Sequence, residues 1–387
     1  MDFDLSEDHR LLQQEIREFS FKEVAPGAEQ RDHDCKLPKQ LWDQLVELGL
    51  LGICIPEEYG GAGMDTVAST IVVEEISKSC AGTGVFISAH NSLCVDPILA
   101  FGNESQKRKY LPMLASGTVG CLSLTEPGSG SDAGGAKCLA VEEKNGWRIN
   151  GNKIFVTNGA EAGVMVLIAV TDPSEKRRLS AFIVEHPWEG LRIGKLEKKL
   201  GIRCSSTAEY VFEDCLIPKE NLLGERGKGL NVALATLDGG RIGIGAQALG
   251  IAEACLYVGA RYANQREQFN QPLANFQAIQ NKIADMKVRI EASRNLLYRA
   301  AWMKDRHLPY GYYSAMAKLF ASETASLCAN HAVQIYGGYG YTQDYPAERF
   351  LRDAKITEIY EGTSEIHRLV IFRGLTSESE TGWTAKV

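Results

Sequence analysis

The spacing of apolar residues changes twice along this chain, and that change limits the folds open to it. Up to about residue 120, apolar positions recur at helical intervals, as in Leu11-Leu12-Gln13-Gln14-Glu15-Ile16 and Leu41-Trp42-Asp43-Gln44-Leu45-Val46. From 121 to 225 the period drops to two, in short β-branched runs at 147–149, 153–157, 164–170, 179–184 and 208–212. From 226 onward the helical period returns in long runs at 230–265, 276–307 and 312–336. A chain of 387 residues exceeds what one core fills. The pattern predicts an α+β protein of three domains: an N-terminal all-α domain (1–120), a middle antiparallel β-barrel or sandwich domain (121–225) and a C-terminal four-helix bundle domain (226–387).

Finer expectations follow. One helix is predicted over 66–80 and another from Val85 to Phe101, with breaks at Ala25-Pro26-Gly27, Pro56–Gly61 and Asp96-Pro97. Turns are predicted at Lys144-Asn145-Gly146 and Asn150-Gly151-Asn152. The helix holding Gly243-Ile244-Gly245-Ala246 is small or apolar nearly all round, so it is expected to be buried on several sides.

A net charge of −7 argues against nucleic acid, whose phosphates demand a basic face. No run of 18 apolar residues occurs, so no membrane span is expected. The N-terminus, Met1-Asp2-Phe3-Asp4, is acidic where a targeting peptide is basic. Ten cysteines lie scattered without a CxxC pair. They read as core thiols of a cytoplasmic protein, with neither disulfide frame nor metal site.

Five stretches carry candidate chemistry. In Thr357-Glu358-Ile359-Tyr360-Glu361-Gly362-Thr363-Ser364, the carboxylate of Glu361 lies beside apolar Ile359 and Tyr360, just before a helix start at Thr363. Burial raises the pKa of such an acid and a helix N-terminus lowers it, which can leave a base active at neutral pH. A plain helix cap is the competing reading. The loop Leu122–Asp132, rich in glycine and hydroxyls, offers backbone donors to an anionic or carbonyl-rich ligand, or is simply a polar turn. Gly128-x-Gly130 is no Rossmann fingerprint, because a strand pattern follows it. Phe155 and Thr157 share one strand face, able to meet a flat ring or to serve as ordinary core. Asp238 and Arg241 share a helix face with Gly239 and Gly240 between them, as an anion contact or an intrahelical ion pair. Gln334–Tyr341 ends a helix in glycines, as a bare platform or a C-cap loop.

Taken together, Thr125-Glu126-Pro127-Gly128-x-Gly130-Ser131-Asp132 and Ile359–Ser364 resemble the acyl-CoA dehydrogenase family, most closely its short-chain branch, over essentially the whole chain. The resemblance implies FAD. Leu122, Leu124, Thr125, Gly130 and Ser131 match positions holding the flavin's pyrimidine edge and pyrophosphate; Phe155, Val156 and Thr157 match those packing on its ring. The family usually has tryptophan where Phe155 stands. Arg266, Gln277, Gln334, Ile335, Gly337 and Gly338 match positions reaching the FAD of a neighbouring subunit, and Thr363 and Glu365 those near its adenosine. A homotetramer, a dimer of dimers, follows from that pattern. Ser131, Asp238, Arg241, Tyr360 and Gly362 match acyl-CoA contacts, and Glu361 matches the base. Isovaleryl-CoA and long-chain relatives carry that base on the bundle helix immediately before the arginine, where this chain has Gly240. The implied reaction removes an α-proton and a β-hydride to give trans-2-enoyl-CoA, with electrons passing to electron-transfer flavoprotein. Competing readings are a branched or alicyclic acyl-CoA dehydrogenase, an acyl-CoA oxidase on the same scaffold, and a catalytically silent CoA-binding scaffold.

Overall fold

The computed structural model describes residues 4–174 and 178–376. Met1–Phe3 and the end of the bundle segment lie outside the described residues. Seven α-helices come first: α1 (Glu7–Phe19), α2 (Ala28–Asp34), α3 (Lys39–Glu47), α4 (Thr66–Ser79), α5 (Ala81–His90), α6 (Asp96–Phe101) and α7 (Glu104–Ala115). Their starts are written in the sequence. Asp65 accepts from the Ala68 N–H at 2.8 Å to cap α4, and Asn103 with Gln106 forms a reciprocal capping box on α7.

The helix over 66–80 stands as expected. The break at Asp96-Pro97 does not. A π-helical turn, Asn91–Val95, joins α5 to α6, so one rod runs from Ala81 to Phe101. Pro97 falls in the first turn of α6, where a missing N–H interrupts least.

Eight strands follow: β1 (Val119–Ser123), β2 (Leu139–Glu143), β3 (Gly146–Thr157), β4 (Ala162–Asp172), β5 (Arg178–Glu185), β6 (Leu191–Leu196), β7 (Thr207–Ile217) and β8 (Leu222–Leu223). They order as β6-β7-β3-β2-β4-β5-β8, with β1 on β4. Most pairs are antiparallel, but β1 runs parallel to β4, because it enters from α7 rather than through a hairpin. Lys144-Asn145 makes the expected turn between β2 and β3. Asn150-Gly151-Asn152 is not a turn; it lies within β3 as a register shift, with Gly151 at φ 143° against Cys138. Trp147, Ile149, Val156, Met165, Phe182, Tyr210 and Phe212 fill the core of this sheet.

The chain then returns to helices: α8 (Gly229–Gln265), α9 (Gln277–Asp305), α10 (Gly311–Tyr336), α11 (Ala347–Ile356) and α12 (Ser364–Thr376), with a two-residue hairpin, β9 (Glu267–Gln268) and β10 (Gln271–Pro272), after α8. As its composition predicts, α8 is enclosed, packing on α4, α5, α9 and α10. Gly250 lets it approach the backbone of α4, where a Cβ would lie 2.5 Å from Glu74 O. Two helical rods, Ala81–Phe101 and Gly229–Gln265, reach a membrane-spanning length and hydropathy. Each has 72% of its apolar window buried inside the protein, so their apolarity belongs to the core.

Candidate active site

Between α11 and α12 the chain makes a tight excursion that presents Glu361. Ser364 N–H closes it by donating to Glu358 O at 3.0 Å, and Thr363 Oγ1 caps α12 by accepting from Ile366 N–H at 3.3 Å. The cap is therefore Thr363, which frees Glu361 for another role. Glu361 has φ 52° and Gly362 φ 102°, two successive left-handed residues. Tyr360 OH donates to Gln247 Oε1 and anchors the approach.

The Glu361 carboxyl points at α8. A Cβ on Gly240 would lie 2.1 Å from its Oε2 and 2.9 Å from Leu93 Cδ2, so only glycine leaves room there. Oε2 is buried and has no hydrogen-bond partner among the described residues. Burial pushes the Glu361 pKa up to about 7, against the pull of the Lys318 and Arg241 cations. Two parts of the sequence expectation need correction. Ile359 is 48% exposed and does not bury the acid; its Oε2 lies instead against Gly240 of α8, with Leu93 beside the same spot. The counter-pull comes chiefly from two side-chain cations rather than from the following helix.

Arg241, itself buried, donates through Nη1 to Asp238 Oδ1 at 2.5 Å. The intrahelical ion pair thus exists, yet it lies inside the protein, and Arg241 Nε is left without a partner among the described residues. Burial raises the Asp238 pKa and lowers that of Arg241. Beside Gly239, Ile242 and Gly243 of α8, a cavity of about 20 Å³ is lined by Cys54, Thr70 and Ser88 and by the half-buried ion pair of Lys304 with Asp96.

The second loop lies on the β domain. Glu126 and Ser129 exchange backbone hydrogen bonds at 3.0 Å, making the polar turn, and Thr125 O accepts from Ile154 N–H at 2.9 Å. Beneath the turn sits a buried pair: Lys153 Nζ donates to Leu124 O and to Glu126 Oε1, both at 2.8 Å. Glu126 also accepts from the Lys137 and Cys138 N–H groups at 2.6 and 2.9 Å. Those charged and amide donors hold its pKa below the ordinary carboxylate value despite its burial. Leu122, Leu124 and Thr125 are half-buried, while Gly130 and Ser131 are exposed, and a Cβ on Gly128 or Gly130 would meet no described atom within 4 Å. On β3, a bulge puts Phe155 at φ 56°. Its ring is 59% exposed, so it is not core; Thr157 is half-buried, and the Val156 side chain turns into the sheet core, leaving only its backbone for a ligand.

A third group forms elsewhere. Arg266 follows the end of α8, 25 residues after Arg241, roughly 38 Å at 1.5 Å per residue. Its guanidinium stacks 5.8 Å from the Tyr339 ring, beside exposed Gly337 and Gly338. Gln277 and Gln334 are exposed, whereas the Ile335 side chain is buried in the core. Thr363 is half-buried and Glu365 exposed at the start of α12.

Comparison with known proteins gives one answer. The acyl-CoA dehydrogenase N-terminal, middle and C-terminal domain families match residues 6–118, 121–215 and 227–376. The short-chain specific acyl-CoA dehydrogenase of Rattus norvegicus mitochondria is 51% identical, over 95% of this chain and 90% of its own. This chain belongs to the acyl-CoA dehydrogenase family.

Butyryl-CoA dehydrogenase from Megasphaera elsdenii superposes with a TM-score of 0.95 at 45% identity, covering 97% of this chain and 100% of that one. A chain solved in a study of the electron transferring flavoprotein of Acidaminococcus fermentans superposes at 0.96 with 49% identity, covering 98% and 100%. The family is one of FAD-dependent oxidoreductases, and this acyl-CoA dehydrogenase offers a matching cradle: an open glycine turn, an uncovered aromatic ring on β3 and a rigid ion pair beneath.

Two residues of this dehydrogenase, Lys153 and Lys318, escape motif reading. Lys153 and Glu126 support the turn, and Lys318 stands beside Glu361. Lys318 had a signal: it shares a helical face with Ser314, Ala315, Ala321, Ser322 and Ala325, all small, which marks a cation turned inward.

Proposed function

We propose that this acyl-CoA dehydrogenase oxidises short-chain acyl-CoA, butyryl-CoA or a close analogue, to the trans-2-enoyl-CoA. Glu361 removes the α-proton. The observation that carries this reading is its buried, unpartnered Oε2, held by Gly240 at a pKa of about 7. A carboxylate so placed is basic enough to take a proton and ionised often enough at neutral pH to do so. The Glu361 N–H donates to the thioester oxygen, steadying the negative charge that grows there as the proton leaves. FAD, when bound, supplies the acceptor for the β-hydride at N5. Leu122, Leu124, Thr125, Gly130, Ser131, Phe155, Thr157 and the Val156 backbone hold it, and the Lys153–Glu126 pair keeps their turn in place. Ser131, Asp238, Arg241, Tyr360 and Gly362 orient the acyl-CoA.

Short-chain preference is supported by the named relatives, a short-chain specific acyl-CoA dehydrogenase and a butyryl-CoA dehydrogenase. Arg266 lies roughly 38 Å along α8 from Arg241, and Arg266, Gln277, Gln334, Gly337, Gly338 and the Ile335 backbone resemble family positions that serve a second flavin. They reach the FAD of a neighbouring copy in a homotetramer, with Thr363 and Glu365 near its adenosine. Electron-transfer flavoprotein takes the electrons, and the buried thiols suit a reducing cytoplasm.

The test is a rate survey of the purified holoenzyme over straight, branched and cyclic acyl-CoAs with an artificial acceptor, with and without oxygen. Turnover should peak at four carbons and need the acceptor. A peak at eight carbons or more, a cyclic preference, or stoichiometric peroxide would each overturn this assignment.

A further inference from the structure

We infer that Lys318 is a positioning residue for proton abstraction: it pins the Gly362 carbonyl beneath the base loop and sets a cation beside Glu361 without saturating its carboxyl. This rests on the reading of Glu361 as the base.

Lys318 is 0% exposed, in mid-α10 among small side chains. Its Nζ donates to Gly362 O at 2.7 Å. The residues it clamps are the two left-handed ones, Glu361 and Gly362, a conformation that costs a non-glycine residue about 1 kcal/mol or more and persists only where surroundings over-determine it. Because the hydrogen bond goes to the backbone, Glu361 Oε2 keeps a free lone pair for the incoming proton. An ordinary ion pair would have filled it and weakened the base.

The electrostatics point the same way. Burial lowers the Lys318 pKa to about 7, opposed by Glu361 and, more weakly, by Glu358 and Glu365, while Arg241 lowers it further. From α8, Arg241 and its partner Asp238 face this group; from the segment before α10, Tyr310; from the loop and α12, Glu358, Tyr360, Glu365 and His367. His367 contributes no charge near neutrality, because burial and the two cations lower its pKa to about 3. Arg241 and the protonated form of Lys318 are thus the cations that oppose the rise of the Glu361 pKa.

The experiment uses FAD-loaded Lys318→Met and Lys318→Gln, assayed with butyryl-CoA across pH. Both should keep the flavin spectrum. The Met variant should lose at least about tenfold in kcat with KM little changed, and the acid limb of kcat/KM should move up by about one pH unit, because removing a neighbouring cation raises a carboxyl pKa. The Gln variant keeps a donor for Gly362 O, so it should recover part of kcat while its limb stays shifted. A limb that coincides with the wild type in both variants overturns the proposal. So does loss of flavin in both, which would assign Lys318 to folding alone. A Glu361→Gln enzyme with normal turnover sinks the base assignment itself; an inactive one alongside unmoved limbs sinks only the role of Lys318.

Discussion

Two buried lysines stand beside glutamates in this protein, and they are arranged to opposite ends. On the β domain, Glu126 is saturated: Lys153 and two backbone N–H groups fill its oxygens, and its pKa is lowered. In the bundle, Glu361 is left hungry: its lysine turns to a carbonyl, one oxygen has no partner among the described residues, and its pKa rises to about 7. The same two residue types give a saturated support in one place and, in the proposed reading, a base in the other. What differs is how many donors reach the carboxyl.

Four experiments would break or sharpen that contrast. The largest effect belongs to Glu361→Gln, which should retain yellow, FAD-loaded protein while kcat/KM for butyryl-CoA falls by about 10² to 10⁴. Normal turnover there would falsify the reading of Glu361 as reactive. Lys153→Met should do the reverse of a chemical lesion. It strands a buried carboxylate, so denaturant titration should show a loss of about 3–5 kcal/mol, with flavin released on dilution. A variant that stays as stable as wild type would show the β-domain pair to be dispensable.

Next in size, Gly240→Ala places a methyl 2.1 Å from Glu361 Oε2. The carboxyl must move, and a displacement of that order costs about tenfold or more in kcat with thermal stability little altered. An unchanged kcat would mean that the acid does not need its observed position. The smallest effects come from pH alone, and the two glutamates should respond in different ranges, Glu361 near neutrality and Glu126 in acid. As the proposed base, Glu361 works only when ionised, so the acid limb of kcat/KM should rise with pH through about 7. Glu126 has a folded pKa below its unfolded one. The stability it provides is present above the unfolded value and is lost as pH falls through the folded one. Acid unfolding of Glu126→Gln should therefore show a weaker pH dependence than that of wild type.

The sequence carried the outline of this molecule well where local spacing decides structure. α4, α8, α9 and α10 begin and end within a residue or two of their periodic runs, and Thr363 caps α12 as its type suggests. It failed where a neighbour's position decides. Asn150-Gly151-Asn152 reads as a turn but serves as a bulge, because β3 is held on both edges by β2 and β7. Pro97 reads as a break, yet a π turn absorbs it. Glu361 was legible as an acid in an apolar stretch, but what hides it was not: Gly240 and Leu93 lie more than a hundred residues away in the chain. Lys318 and Lys153 were passed over because an isolated lysine looks like surface until the small residues around it are placed on one face.

Gly240 carries one more consequence. A methyl on Gly240 and the Glu361 oxygen compete for a single spot, so the proposed base has an address in space that two unrelated backbone elements can both reach. A carboxyl growing from helix α8 and one hanging from the loop before α12 are alternative tenants of that spot. Chemistry of this kind can migrate between distant stretches of sequence while the substrate notices no change.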